Sequence, residues 1–393
     1  MYPLLLDLAG RTVVVVGGGT VAERRVAGLV EAGAQVRVIA PAIRPGVGGA
    51  HVLRPYARGD LAGAWLVHAV TDDAAVNAEV AADAEAAGVW CVRADDAAGT
   101  AARVPATVTS GDVTVAVGTG GGDPRRATAL RDAIALLLDA GELPLRHQRS
   151  HAGRVTLVGG GPGDPGLITV RGRRVLAEAD VVVVDKLAPR SWLAALPPEV
   201  EVVDAGKSPH AHNLSQDEIN ALLVREARAG RHVVRLKGGD PYVFGRGGEE
   251  ALACLEAGIP VEVVPGVTSA LAVPAGAGIP VTHRGVTQEF TVVSAHLDPG
   301  AADTTVDYGA LAASTGTLVF LMGVGRLARI AQELVDRGRP AITPVAVIED
   351  GTLPTERVTV GTLATIGELA AGARPPAVVV VGDVVALRAS LAP

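Results

Sequence analysis

The sequence predicts an α/β protein made of two folded parts with a short segment between them. Three observations lead there. Short Val-rich runs, among them Thr12–Val16, Gln35–Ile39 and Val181–Val184, alternate with Ala-rich amphipathic stretches. Glycine clusters follow three such runs, at 17–19, 159–161 and 238–239, where open α/β sheets build their ligand loops. The chain is 49% hydrophobic but only 3% aromatic, so Ala, Val and Gly must fill its cores. Its 393 residues are enough for two or three domains with sizeable cores.

Composition also excludes several classes. No apolar run reaches the roughly 18 residues needed to span a bilayer. The start, MYPLLLDLAGRT, lacks a basic leader and has Asp7 inside its short apolar run, so no signal peptide is expected. Cys91 and Cys254 form neither a disulfide framework nor a metal-ligand motif, and both read as buried thiols of a reducing cytoplasm. A net charge of −7 argues against nucleic acid as a partner. Local basic pairs, such as Arg125-Arg126 and His283-Arg284, still leave room for an acidic small molecule.

Residues 1–105 read as a dinucleotide-binding domain. The strand Thr12–Val16 runs into GGGTVA at 17–22, which fits G-x-G-x-x-G/A, and a helix is expected through about Ala32. Gly17 and Gly19 permit a tight turn. The amides of Thr20 and Val21 open the helix, whose N-terminus favours a pyrophosphate. The second strand ends in Ala40-Pro41, without the acid that usually holds the adenosine ribose. Strands are expected at 65–70 and 90–92, with Asp72 or Asp73 capping the helix between them. Residues 106–154 read as a short mixed segment with a helix over 124–140 and a polar, basic linker over 141–154.

Residues 155–393 read as a second α/β domain. The loop GGGPGDPG at 159–166 follows a strand at 155–158, and GGDP at 238–241 follows VVRLK. Glycines there let a ligand approach the main chain. Asp240 lies just beyond its strand, and Asp185 ends the apolar run Val181–Val184.

The order VTLVGGGPGDPG, ADVVVVDKL, DAGKSPH, KGGDPYVFGRGGEE, VPGVTSA, GIPVTHRG and LVFLMG resembles the uroporphyrinogen-III C-methyltransferases from 155 to about 390. The order VGGGTVAERR, AVTDDAAVN and CVRADD resembles the dehydrogenase–chelatase half of the siroheme synthase family. The resemblance implies an N-terminal Rossmann-like NAD-binding domain and a C-terminal methyltransferase domain of two α/β subdomains. It implies Asp185 as base, Lys207 in proton handling or substrate binding, and Asp95 as the carboxylate of oxidation and metal insertion. S-adenosylmethionine is expected at Pro162, Gly238, Gly239, Asp240, Val243, Thr268, Ser269 and Met322. NAD is expected at Gly17, Gly19, Thr20, Val21 and Pro41. Thr119, Arg246, His283 and Arg284 are expected to meet the substrate. The implied substrates are uroporphyrinogen III, precorrin-2 and sirohydrochlorin, with ferrous iron inserted last, in a cytoplasmic homodimer.

The sequence departs from the family pattern at three places. No asparagine stands shortly before Asp95, Gly118-Thr119 replaces a serine pair, and the middle segment is shorter. Two other readings therefore stay open: a methyltransferase with an inactive or regulatory N-terminal domain, and a non-catalytic tetrapyrrole carrier.

Overall fold

The computed structural model describes residues 2–96, 100–120, 123–143, 145–146, 152–206 and 214–391. The chain divides into two compact units, Met1–Leu136 and Leu137–Pro393.

The first unit holds β1 (Thr12–Val16), β2 (Gln35–Ile39), β3 (Ala50–Val52), β4 (Leu66–Ala69) and β5 (Trp90–Arg93). They form one parallel sheet in the order β3-β2-β1-β4-β5. Both faces of β1 are covered, and Val13 to Val16 are all buried. This is why the strand reads as a continuous valine run without polar alternation. Asp73, not Asp72, caps the helix Ala74–Ala87 by accepting from the Ala75 and Val76 amides. Gly88 ends that helix in the left-handed region at φ 66°.

The segment after β5 contains more than a helix. β6 (Ala106–Ser110) and β7 (Val113–Val117) pair as an antiparallel hairpin, followed by the helix Pro124–Asp139. The boundary between the units falls inside this helix.

The second unit carries two sheets. β8 (Arg154–Gly159), β9 (Val181–Val184), β10 (Glu201–Asp204), β11 (His232–Lys237) and β12 (Val261–Val264) make a parallel sheet in the order β10-β9-β11-β8-β12. β13 (Phe290–Ser294), β14 (Thr317–Leu321), β15 (Pro344–Glu349), β16 (Arg357–Thr362) and β17 (Ala377–Val381) make a mixed sheet, β13-β14-β17-β15-β16. Only its β13–β14 pair is parallel. The helix Ser269–Gly276 leaves the first sheet and buries Ala270 and Val273 against the second, beside Leu321 and Val380. A second tie joins the Asp164 amide to Thr352 Oγ1 at 3.1 Å. The loop after β8 and the helix after β12 are thereby held against the loop between β15 and β16.

Candidate active sites

Three glycine loops meet at the carboxyl edge of the parallel sheet in the second unit. Gly161 and Gly239 exchange backbone hydrogen bonds, at 3.3 Å from Gly161 N–H and 2.7 Å from Gly239 N–H. A Cβ on Gly266 would lie 2.2 Å from Gly239 O, and one on Gly159 would lie 2.5 Å from Gly266 Cα. The loops thus touch main chain to main chain, where only glycine fits. Gly239, at φ 65°, is the least crowded of these glycines. A Cβ there would meet Ser269 N at 3.7 Å and Thr268 Cα at 3.8 Å, ordinary contact distances. Loops built of glycine leave their main chain without side-chain cover, which fits a methyl donor held by backbone groups.

Asp240 is held by backbone amides on two sides. Its Oδ1 accepts from Tyr242 N–H at 2.8 Å and its Oδ2 from Gly266 N–H at 3.0 Å. Oδ1 thus closes a turn within its own loop, and Oδ2 braces that loop against the one at Gly266. Thr268 caps the helix Ser269–Gly276 through its hydroxyl. Pro162 follows Gly161, Val243 is half-buried, and Met322 stands after β14, 47% exposed, with φ 60°. Phe244 and Arg246 also have positive φ, at 53° and 58°. Strained non-glycine residues of this kind cost energy and gather where a site needs a fixed shape.

Asp185 projects from the end of β9 with its side chain 35% exposed. Behind it lies a buried cluster that the sequence reading passed over. Arg235 Nη2 donates to Asp185 Oδ1 at 3.5 Å, and Arg235 Nε donates to Glu250 Oε1 at 3.0 Å. Lys237 Nζ is 3.1 Å from both Glu250 oxygens. Arg235, Lys237 and Glu250 are 2%, 3% and 0% exposed. Burial, with Arg235 beside it, holds the Lys237 ammonium below its ordinary range, against the opposing pull of Glu250 and Asp185. The available signal was a pair of basic residues, Arg235 and Lys237, at the end of a strand beside apolar Val233, Val234 and Leu236. Lys207 lies outside the described residues.

Of the residues expected to meet substrate in this unit, Arg246 stands at the start of the helix Gly247–Glu256, and His283 and Arg284 lie in a separate turn. Arg246 is exposed and meets Glu249 through two bonds, of 2.9 and 2.7 Å. Each raises the charged character of the other: the Arg246 pKa is raised and the Glu249 pKa lowered. Exposed His283 and Arg284 sit in a tight turn closed by His283–Thr287 backbone bonds.

In the first unit the dinucleotide fingerprint has its expected geometry. Gly17 has φ 128°, and a Cβ there would lie 2.8 Å from Val70 O. A Cβ on Gly18 would lie 2.1 Å from Ala42 O, in the loop that begins with Pro41. Gly19 has no atom within 4 Å of its Cβ position and caps the helix Thr20–Glu31 without a side-chain acceptor. The amides of Thr20 and Val21 thus open a helix N-terminus beside free space, which suits a pyrophosphate. Asp95 lies beyond β5. Arg93 Nη2 and Nε donate to its two oxygens at 2.8 and 3.2 Å and hold its carboxyl below the ordinary value. Asn77, fully buried and bonded to Thr71, adds to the same effect. Thr119 donates from Oγ1 to Asp123 O at 2.7 Å.

Comparison with known proteins agrees with this division. Residues 154–367 match the tetrapyrrole (corrin/porphyrin) methylases, and residues 4–106 match an NAD(P)-binding family. A uroporphyrin-III C-methyl transferase from Thermus thermophilus, solved with S-adenyl homocysteine, is 46% identical. It covers 60% of this chain and 100% of its own, with a TM-score of 0.52. A cobalt precorrin-4 methyltransferase is 27% identical over 59% of this chain and 95% of its own, with a TM-score of 0.54. Fold and site define the class: a tetrapyrrole methylase unit carried with an NAD(P)-binding unit on one chain. Siroheme synthases from Methylobacillus flagellatus and Escherichia coli are 37% and 36% identical. Each alignment covers 99% of this chain, and 97% and 98% of the respective relative. The chain belongs to the siroheme synthase family.

Proposed function

We propose that this chain converts uroporphyrinogen III to siroheme in three steps. Two methyl transfers give precorrin-2, oxidation by NAD gives sirohydrochlorin, and ferrous iron is inserted with loss of two protons. The observation that carries the reading is Asp185 at the end of β9, 35% exposed, at the sheet edge where three glycine loops pack main chain to main chain.

When bound, S-adenosylmethionine supplies an electrophilic methyl and NAD accepts a hydride. The chain's part in methylation is positioning, since the glycine loops fix the donor and exclude water. Asp185 stabilises the positive charge that develops on the pyrrole and takes the proton lost from a neighbouring carbon. Lys207 serves substrate carboxylates or the same proton. Arg246, His283 and Arg284 bind the substrate's carboxylates, and Arg246 exchanges Glu249 for one of them. Met322 and Val243 pack against the donor, and Asp240 keeps its loop in shape.

In the first unit Asp95 handles protons in oxidation and again in metal insertion, with Thr119 toward the substrate. The working form is a cytoplasmic homodimer, with 1–105, 106–154 and 155–393 as functional segments. A second reading is favoured by the Arg93 contact, which occupies both oxygens of Asp95. It keeps methyl transfer and leaves the first unit as a nucleotide binder. Asp95→Asn separates the two. Precorrin-2 oxidation that slows at least about tenfold supports the three-step reading, and oxidation that is absent in the native chain supports the second. An Asp185→Ala chain that methylates undiminished removes Asp185 from the mechanism.

A further inference from the structure

Arg235, Lys237 and Glu250 are buried beneath the methyl-transfer edge, and no step above uses them. Two cations and one anion leave this cluster with a net charge of +1. Asp185 supplies the missing negative charge. Arg235 is the link. Its Nε is bound to Glu250, its Nη1 donates to Val183 O at 3.4 Å, and its Nη2 reaches Asp185. These contacts on three sides fix the guanidinium plane. Glu250 is fixed in turn. It comes from the first turn of the helix Gly247–Glu256, binds Lys237, and accepts from Gln216 Nε2 at 3.4 Å from the helix Gln216–Arg228. Lys237 in turn helps hold the carboxyl of exposed Glu249, the residue before Glu250, below its ordinary value, after the larger effect of Arg246.

A buried ion cluster stabilises a fold little, and apolar residues of similar volume often do as well or better. Stability alone therefore does not account for three charges at this place. Their geometry does: the one edge of Arg235 not used inside the cluster faces the carboxylate at the reaction edge.

We propose that Arg235, Glu250 and Lys237 form a buried positioning network that holds the Asp185 carboxylate in the orientation methyl transfer needs. The inference rests on the reading of Asp185 as the base. None of the three touches substrate. They act through Asp185, and Glu250 sets Arg235 while Lys237 keeps Glu250 paired.

The test is a mutant cycle in the full-length chain under anaerobic conditions, with uroporphyrinogen III and S-adenosylmethionine. Glu250→Gln keeps shape and removes charge, and Arg235→Gln removes the link. Each is expected to lower kcat at least about tenfold with KM within about twofold, because the lost interaction belongs to the transition state. Affinity for S-adenosylhomocysteine, measured by calorimetry, is expected to stay within about twofold, because the glycine loops are untouched. The deciding chains are Asp185→Asn and its double variants. A network acting through Asp185 has nothing further to lose, so each double variant should match Asp185→Asn within about threefold.

If Asp185→Asn slows methyl transfer and the second substitution multiplies the loss, the network inference is overturned and the base reading stands. If Asp185→Asn alone is undiminished, the base reading fails first. Lys237→Gln supplies a third cycle where one of the other variants does not hold S-adenosylhomocysteine. A network whose every variant loses that affinity is a folding device, and this outcome overturns the proposal as well.

Discussion

Asp95 and Asp185 both stand just past a parallel strand, yet an arginine meets them in different ways. Arg235 touches one oxygen of Asp185 from the buried side and leaves the other face open. Arg93 takes both oxygens of Asp95. Because Arg93 lowers the Asp95 pKa, Asp95 stays a carboxylate to lower pH than an ordinary aspartate. A carboxyl depressed in the folded chain stabilises it above the unfolded value, and that contribution is lost as pH falls through the folded value. Arg93→Leu should therefore move the acidic limb of precorrin-2 oxidation to higher pH and make Asp95 the stronger base at neutral pH. The pH–rate profile of NADH formation checks this, and a limb that does not move contradicts it. The expectations for Asp95 and Asp185 came from the family resemblance, and only Asp185 also ends an apolar run at a carboxyl edge. Arg235, Lys237 and Glu250 were not legible, since their partners are 13 to 15 residues apart and meet only in the folded sheet. The bracing part of Asp240 was hidden for the same reason, as Gly266 lies 26 residues on.

At the scale of elements, the glycines divide by what surrounds them. Gly266→Ala would push a Cβ to 2.2 Å from Gly239 O, and backbone on both sides leaves no flexible side chain to yield. It should destabilise the second unit by about 1–3 kcal/mol and weaken S-adenosylhomocysteine binding. Gly28→Ala lies in the helix Thr20–Glu31 with nothing within 4 Å of its Cβ. It should stabilise the first unit by about 0.5–1 kcal/mol. Denaturant unfolding of the two variants checks the opposite signs. The parallel strands were legible because burial on both faces demands runs such as VVVV. The hairpin of β6 and β7 was missed although its two half-buried Thr/Val alternations flank the turn pair Gly111-Asp112, with Gly111 at φ 62°. The mixed pairing of the second sheet was beyond reach, since strand direction depends on connections that no local pattern records.

At the scale of the whole molecule, two compact units carry two ligand sites, with the dividing point in the helix Pro124–Asp139. A ligand stabilises the unit that binds it. Thermal unfolding should therefore show two transitions, one raised by S-adenosylhomocysteine and the other by NAD. The expected stabilisation is about 2.7 kcal/mol at a hundredfold excess over Kd. A single transition moved equally by both ligands would contradict independent units. No helix among the described residues is long and apolar enough to cross a membrane.

The most direct test follows one sample of the protein under anaerobic conditions by absorbance. Uroporphyrinogen III and S-adenosylmethionine are supplied first, then NAD, then ferrous iron. The account expects precorrin-2, then sirohydrochlorin only after NAD, then siroheme only after iron. Arrest at precorrin-2 after NAD is added would contradict the role of the first unit, and the absence of any methylated product would contradict the account as a whole.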